Sequence, residues 1–300
     1  MTQRPQQILC PVDFDETSWK ALKKASLLAS TWQASLLAFH VVQEFPYEGA
    51  SVPGDLVSLM GQWEKDALKA LEEKVSSLVD PKVEASSKVT TGVPYEEILQ
   101  CLKEEPADLV LLGPDRHGSL ASLVLGRHTE TVVRNTRTPV WIEKSPEGAS
   151  GLPKKVAFLT DFSPASLDAA SQALPWVELL GAKFSLVHIL EPFVLPAFSL
   201  VDPKEYEKSL SELASQRMED FQKQLNLKNL DWEKLLLHNS LEKALKDLVE
   251  KKAVDLIVLS THGRTAMAKK KLGTTATQIL RHLPCSALVL RPKTLDFSWL

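Results

Sequence analysis

The sequence predicts an α/β protein made of two tandem, doubly wound, Rossmann-like domains, each on a five-stranded parallel sheet. Three observations carry that expectation. Short apolar runs alternate with amphipathic stretches, the order that builds parallel sheets with helices on both faces. The runs are β-branched and nearly continuous, as strands buried on both faces are. The whole pattern then returns once, at a nearly constant distance. The chain has 300 residues, which at about 150 residues per domain is a two-domain length.

The first strand, ILCPVD (Ile8–Asp13), returns as VAFLTD (Val156–Asp161), 148 positions later. The second, LLAFHV (Leu36–Val41), returns as FSLVHI (Phe184–Ile189) at the same offset, so that His40 and His188 correspond. The fourth, DLVLLG (Asp108–Gly113), returns as DLIVLS (Asp255–Ser260), and Gly126 returns as Gly273, now 147 positions apart, a slip that one deletion explains. Fifth strands are expected near Thr138–Glu143 and Ser286–Leu290.

Between the strands, Thr17 to Trp32 sets Trp19, Leu22, Ala25, Leu28, Ala29 and Trp32 at helical spacing, and Glu96 to Lys103 does so with Ile98, Leu99 and Leu102. Ser166–Leu180 and Leu241–Val249 occupy the same places in the second half. Leu56–Leu78 and Glu205–Leu225 read as longer, more charged helices after a loop of variable length. The order in each half is thus β-α-β-α-β-α-β-α-β. Gly, Ser and Pro cluster at 147–153, EGASGLP, as they do in linkers, so we expect domains at 1–147 and 152–300.

Composition narrows the function. Hydrophobic residues make up 44% and charged residues 24%, enough for two cores and unlike a disordered chain. Lys+Arg 35 against Asp+Glu 38 leaves a net charge of -3, without the basic field that gathers nucleic acid or anionic lipid; neither is expected as a partner. The N-terminal stretch lacks a signal-peptide pattern, and no apolar run is long enough to span a bilayer. The three cysteines, Cys10, Cys101 and Cys285, are far apart and have no zinc-ligand spacing. A cytoplasmic protein in a reducing compartment is expected.

In doubly wound sheets, ligands bind beyond the carboxyl ends of the strands, where the winding reverses. That selects Asp13, Val41 and Gly113 in the first half and Asp161, Ile189 and Ser260 in the second. The fourth strand of the second half runs into STHGRTAMAKKKLGTT (Ser260–Thr275) and then a helical stretch through Ile279 and Leu280. Gly263 and Gly273 lack a Cβ and permit close backbone approach to a phosphate, and Thr274 and Thr275 fall where a helix N-terminus offers unpaired donors. The alternative is a plain turn at Gly263 with Thr274 as N-cap.

With these residues the chain resembles the universal stress protein family, whose ATP-binding members carry G-2x-G-9x-G-[S/T] after the fourth strand and an Asp ending the first. The resemblance covers almost the whole chain, twice. Gly263, nine residues, then Gly273 and Thr274 match the latter part of the motif, with Ser260 in place of its first Gly; Asp161 matches the first-strand Asp. The resemblance implies ATP, with or without Mg²⁺, held mainly in the C-terminal domain. Asp161 would contact adenine or ribose, the Ile189 backbone the adenine edge, and the loop from Gly263 and Arg264 to Gly273, Thr274 and Thr275 the phosphates. His262 is a further ligand candidate.

The first half departs from the motif: Arg116 stands where the second Gly belongs, Arg127 follows Gly126, and Pro114 removes a backbone donor. Arg116 and Arg127 either bind phosphate through their side chains or fill the crevice, and we favour occlusion or weak binding. His40 and His188 are expected to be hydrogen-bonded structural residues, and Cys10 and Cys285 small core residues. Lys269, Lys270 and Lys271 either attract a triphosphate or form a solvated run. None of the nucleophile, P-loop, dinucleotide or zinc-protease signatures is present, so an enzyme is not expected.

The expected role is therefore an adenine-nucleotide-binding regulator acting on an unidentified protein partner in stress response. A non-binding scaffold and a slow ATPase are the alternatives. The resemblance also implies pairing through fifth strands, which a tandem chain can make within itself as a pseudo-dimer. Association of two chains, through surfaces such as Trp63, Trp232 or the loop at 43–55, is left open.

Overall fold

The computed structural model describes residues 4–43, 54–114, 126–144, 151–192, 202–263 and 272–293, with side chains from Met60 onward in the second of these stretches. The chain divides into two compact units between Leu152 and Pro153.

The first unit runs β1 (Gln7–Pro11), α1 (Glu16–Trp32), β2 (Ser35–Gln43), α2 (Gly54–Leu78), β3 (Ala85–Gly92), α3 (Pro94–Glu104), β4 (Leu109–Leu112), α4 (Arg127–Asn135) and β5 (Val140–Ile142). All pairs are parallel, and the order across the sheet is β3-β2-β1-β4-β5. The second unit repeats it with β6 (Lys155–Leu159), α5 (Pro164–Leu180), β7 (Lys183–Leu190), α6 (Pro203–Lys223), β8 (Trp232–His238), α7 (Leu241–Glu250), β9 (Leu256–Ser260), α8 (Thr274–Arg281) and β10 (Ser286–Leu290), ordered β8-β7-β6-β9-β10.

Burial explains which strands form the spine. Ile8, Leu9, Leu109, Val110 and Leu111 in the first unit, and Val156, Phe158, Leu256 and Ile257 in the second, are fully buried. Each such side chain removed from water contributes about 1.5–3 kcal/mol before entropy is charged against it. The outer strands β3 and β8 are half-exposed along most of their length.

Helix starts lie a few residues ahead of the first periodic apolar positions, and the caps give the reason. Asp15 caps α1 by accepting from Ser18 N–H at 2.7 Å. Pro94, Pro164 and Pro203 occupy the first turns of α3, α5 and α6, where the missing N–H costs nothing and the fixed φ suits a helix. Helices α1 and α5 both end on a left-handed residue, Gln33 and Gly181, again 148 positions apart.

Among the described residues, no helix is long and apolar enough to cross a membrane. The three cysteines are buried and none is in a disulfide.

Candidate functional site

The winding reverses in the second unit between β6 and β9, where the helices after these strands pack on opposite faces. There a cavity of about 420 Å³ opens beyond the strand ends, within the range of small-molecule sites. Asp161, Ile189, Ser260, His262, Gly263, Gly273, Thr274 and Thr275 all line it. Of the residues selected from sequence, Arg264 and the lysines at 269–271 lie outside the described residues.

Each lining group is fixed by its neighbours. Asp161 follows β6, and its Oδ1 accepts from Ser163 N–H at 3.0 Å, which pins the carboxylate. The turn is held below by the Thr160 hydroxyl, which accepts from Phe162 N–H at 3.0 Å and from Ser166 Oγ at 2.9 Å. Phe162 itself sits at φ 63°, a left-handed conformation costly for a bulky residue. Its ring packs on His188, 4.2 Å between centroids, which helps to hold it there.

On the opposite wall, Gly273 N–H donates to Thr261 C=O at 2.9 Å, so the end of β9 and the start of α8 are drawn together. Gly273 is the N-cap of α8, and Thr274 is the first helical residue, not the cap. The first-turn N–H groups of a helix have no partners within it and carry partial positive charge; here they open onto the cavity beside Gly263. Gly263 approaches Asp161 so closely that a Cβ on it would fall 2.5 Å from Oδ2.

His262 is 6% exposed. Its Nδ1 lies 2.8 Å from the Thr261 hydroxyl, and its Nε2 is buried with no hydrogen-bond partner among the described residues. Burial, and then the charge of Arg291, hold the imidazole below its usual value, which keeps it neutral. A buried polar atom left unpaired costs about 1–3 kcal/mol. Glycine-lined main chain and a helix start together have the chemistry to fit a phosphorylated ligand. Among the described residues, no cluster of His, Cys, Asp or Glu has the makings of a metal site.

The base of the cavity is defined by the sheet itself. In a parallel ladder a residue directs both its N–H and its C=O to one side, and successive residues alternate. Lys183 donates to Lys154 and Val187 accepts from Thr160, both toward β6, while Phe184 donates to Asp231 and Leu190 accepts from Asn239, toward β8. Ile189 is therefore directed to the β6 side, beyond the strand's last residue, Leu159. It presents a donor and an acceptor side by side to the cavity.

The first unit has the corresponding cavity, about 380 Å³, lined by Asp13, Val41, Gly113, Pro114 and His128 among others. Val41 repeats the geometry of Ile189: Ser35 donates to Gln6 and Phe39 accepts from Val12 on the β1 side, which puts Val41 on that side past Pro11. Phe14 repeats Phe162, with φ 67° and its ring 4.5 Å from that of His40.

The corner between β4 and α4 differs from its counterpart between β9 and α8. Gly113 packs on the first turn of α1, where a Cβ would lie 3.0 Å from the Thr17 carbonyl. Pro114 has no N–H, and its C=O accepts from the Thr17 hydroxyl at 3.1 Å. His128 stands where the second unit has Thr275, stacked on Tyr95 at 5.9 Å. Arg127 is exposed and does not line the cavity, so it does not fill the crevice as one of its expected roles required. Arg116 lies outside the described residues.

Asp13 is exposed as a residue where Asp161 is half-buried. Its carboxyl is nonetheless held above the usual range, first by partial burial of the group and, against the pull of the Ser18 hydroxyl, by the charge of Asp15. Both His40 and His188 prove to be bonded through Nδ1 to main-chain carbonyls, Val12 and Thr160, each at 2.7 Å. Sequence reasoning gave no hint of the left-handed Phe14 and Phe162 or of the unpaired His262 Nε2; only the equal offset of the two His residues signalled a shared role.

Fold and crevices together define a tandem doubly wound α/β protein with a cavity at the carboxyl end of each sheet. The model of the universal stress protein family matches residues 5–144 and again 153–291, and the chain belongs to that family, a family of stress-response proteins, as a tandem member. Universal stress protein E of Escherichia coli K12 is 25% identical over 311 residues, covering 96% of this chain and 94% of its own. A universal stress protein of Methanocaldococcus jannaschii is 26% identical over 142 residues, 47% of this chain and 84% of its own. Among solved structures, a universal stress protein from Archaeoglobus fulgidus superposes with a TM-score of 0.65 at 16% identity, covering 97% of each chain, which is agreement of fold.

Proposed function

We propose that the C-terminal cavity binds an adenine nucleotide, ATP with or without Mg²⁺, as a regulatory ligand rather than a substrate. One observation carries the reading. A strand-end donor–acceptor pair at Ile189, the Asp161 carboxylate, and the Gly263–Gly273 corner at the start of α8 converge on a single cavity of about 420 Å³. That sequence of groups suits a heterocycle edge, a ribose and a phosphate chain in turn.

Family membership supports the assignment to stress response. In sequence, the segment between Gly263 and Gly273 adds Arg264, Lys269, Lys270 and Lys271 with no acidic residue, a charge pattern favourable to an anionic ligand. Three buried cysteines, none of them in a disulfide, support a reducing compartment such as the cytoplasm. Occupancy would alter the contacts offered to a protein partner.

Calorimetric titration with Mg²⁺-ATP tests the reading. The expected result is saturable binding at about one equivalent per chain, lost in Asp161→Ala. No heat and no co-purifying nucleotide would reduce the protein to a scaffold, and phosphate release abolished by Gly273→Val would make it an ATPase.

A further inference from the structure

We propose that His188, and His40 in the first unit, are positioning residues that keep the strand-end donor–acceptor pair open for a ligand's heterocycle edge by capturing the carbonyl that would otherwise close it. The proposal deepens the nucleotide reading and rests on it for the identity of the ligand.

The ladder between β6 and β7 has a definite next rung. Thr160 N–H donates to Val187 C=O at 2.9 Å. By the alternation of a parallel pair, the following bond would run from Ile189 N–H to Thr160 C=O. Among the described residues that bond is absent, and Thr160 C=O instead accepts from His188 Nδ1 at 2.7 Å. The first unit repeats every step: Val12 N–H donates to Phe39 C=O at 2.8 Å, the next rung from Val41 to Val12 is missing, and Val12 C=O accepts from His40 Nδ1 at 2.7 Å.

Because a carbonyl only accepts, Nδ1 carries the proton in both rings. Burial holds the His40 imidazole below its usual value and so favours the neutral form that makes this bond without adding charge to the cavity. The rings are set by Phe162 and Phe14 at centroid distances of 4.2 and 4.5 Å. Each Phe is held at positive φ immediately after the strand-end Asp. Backbone strain of order 1–3 kcal/mol is retained where surroundings impose it, and its recurrence in both units ties Asp, Phe and His into one device. The consequence is chemical: Ile189 and Val41 each face a cavity with an N–H and a C=O spaced as in a β-ladder, the complement of a heterocycle edge with an adjacent acceptor and donor.

Amide hydrogen exchange on the full chain, read by NMR, tests the device without any ligand. Ile189 N–H should exchange at least about tenfold faster than Val187 N–H in the wild type. In His188→Phe, which fills the same space without Nδ1, the rung should close and Ile189 should become protected. His188→Asn, whose side-chain N–H₂ can take the place of Nδ1, should restore fast exchange. With ATP and with adenosine as probes, His188→Phe should lose about tenfold in affinity and His188→Asn less than threefold.

A wild-type Ile189 amide as protected as Val187, or equal affinities in wild type and His188→Phe, overturns the proposal. A wild type that binds neither probe removes the nucleotide reading, and the exchange data then decide this one alone. Should His188→Phe fail to fold, His40→Phe with Val41 as reporter gives the same readout in the other unit.

Discussion

The Asp161 carboxylate occupies the space that a side chain at position 263 would need: a Cβ on Gly263 would lie 2.5 Å from Oδ2, below any real contact distance. Oδ1 is meanwhile tied to Ser163 N–H at 3.0 Å, so the carboxylate cannot simply swing away. Gly263→Ala should therefore displace Asp161 and weaken ATP binding at least about tenfold, which is roughly 1.4 kcal/mol. Gly273→Ala is the control, because its Cβ would meet Thr261 C=O at an ordinary 3.5 Å; it should bind ATP within about threefold of wild type. Titration calorimetry on the two variants decides it, and equal losses would refute the steric account.

The two strand-end carboxylates predict unequal consequences. Asp161 is half-buried against the glycine corner, whereas Asp13 is exposed and faces a corner where Gly113 is packed on α1 and Pro114 lacks a donor. Adenine nucleotide should co-purify at no more than about one per chain, disappear in Asp161→Ala and persist in Asp13→Ala. Mass spectrometry of ligands released from freshly purified protein reads this out. Equal loss from both variants would show that the units share the work.

Much of this was legible in the sequence, for a physical reason. Strands β1, β2, β4, β6, β7 and β9 lie inside a sheet covered on both faces, so the runs ILCP in β1 and LIVL in β9 must be apolar throughout. β3, ASSKVTTG, and β8, WEKLLLH, lie at the outer side of their sheets, half-exposed, and carry no such signature. The site divides in the same way. Gly263 was legible because its close approach to the Asp161 carboxylate excludes a side chain. The orientation of Ile189 and Val41 was not, since which way a main-chain N–H points depends on register and leaves no mark on residue type.

Acid should destabilise the fold through two histidines. Burial is the first cause at both His40 and His262 and lowers each below the ordinary 6.5. At His40 the bond to Val12 C=O and the Asp13 charge oppose it, and at His262 the Arg291 charge adds to it. With the folded value below the unfolded one, the unfolded chain takes up protons first as pH falls. Stability from these groups is thus complete above about pH 6.5 and is lost as the pH drops through that value toward and past the folded ones. Thermal unfolding between about pH 7.5 and pH 5.5 should show a falling midpoint, with a shallower slope in a His40→Asn, His262→Asn double variant. An unchanged slope would locate the acid sensitivity elsewhere.

Asp15 tests how the first unit's turn is held. Its carboxylate accepts from Ser18 N–H at 2.7 Å and from the Thr17 hydroxyl at 2.7 Å, as cap of α1. Asp15→Ala should cost about 1–2 kcal/mol, the usual worth of such a cap, and the loss should appear in denaturant unfolding of the first unit. Asp15→Ser, the cap residue at the equivalent Ser163, should recover most of it.

Gly113 shows why the two corners diverged. It is the N-terminal counterpart of Ser260, yet a Cβ on it would lie 3.0 Å from both Thr17 C and O and 3.1 Å from Ser18 N, all main-chain atoms of a capped helix start. Main chain cannot rotate aside, so Gly113→Ala should strain α1 against β4 and destabilise the unit by about 1–3 kcal/mol, the usual cost of overpacking. Ser260 tolerates its side chain and uses it, since its Oγ accepts from His262 N–H at 3.2 Å and so helps to set His262, which lines the cavity. Ser260→Gly should accordingly cost little stability but loosen His262, weakening ATP binding by a few-fold, about 0.5–1.5 kcal/mol for one neutral hydrogen bond. Denaturant melts of Gly113→Ala and titrations of Ser260→Gly separate the two effects. A stable Gly113→Ala would mean that α1 has room to retreat, and that the first unit's glycine is kept for access to its cavity and not for packing.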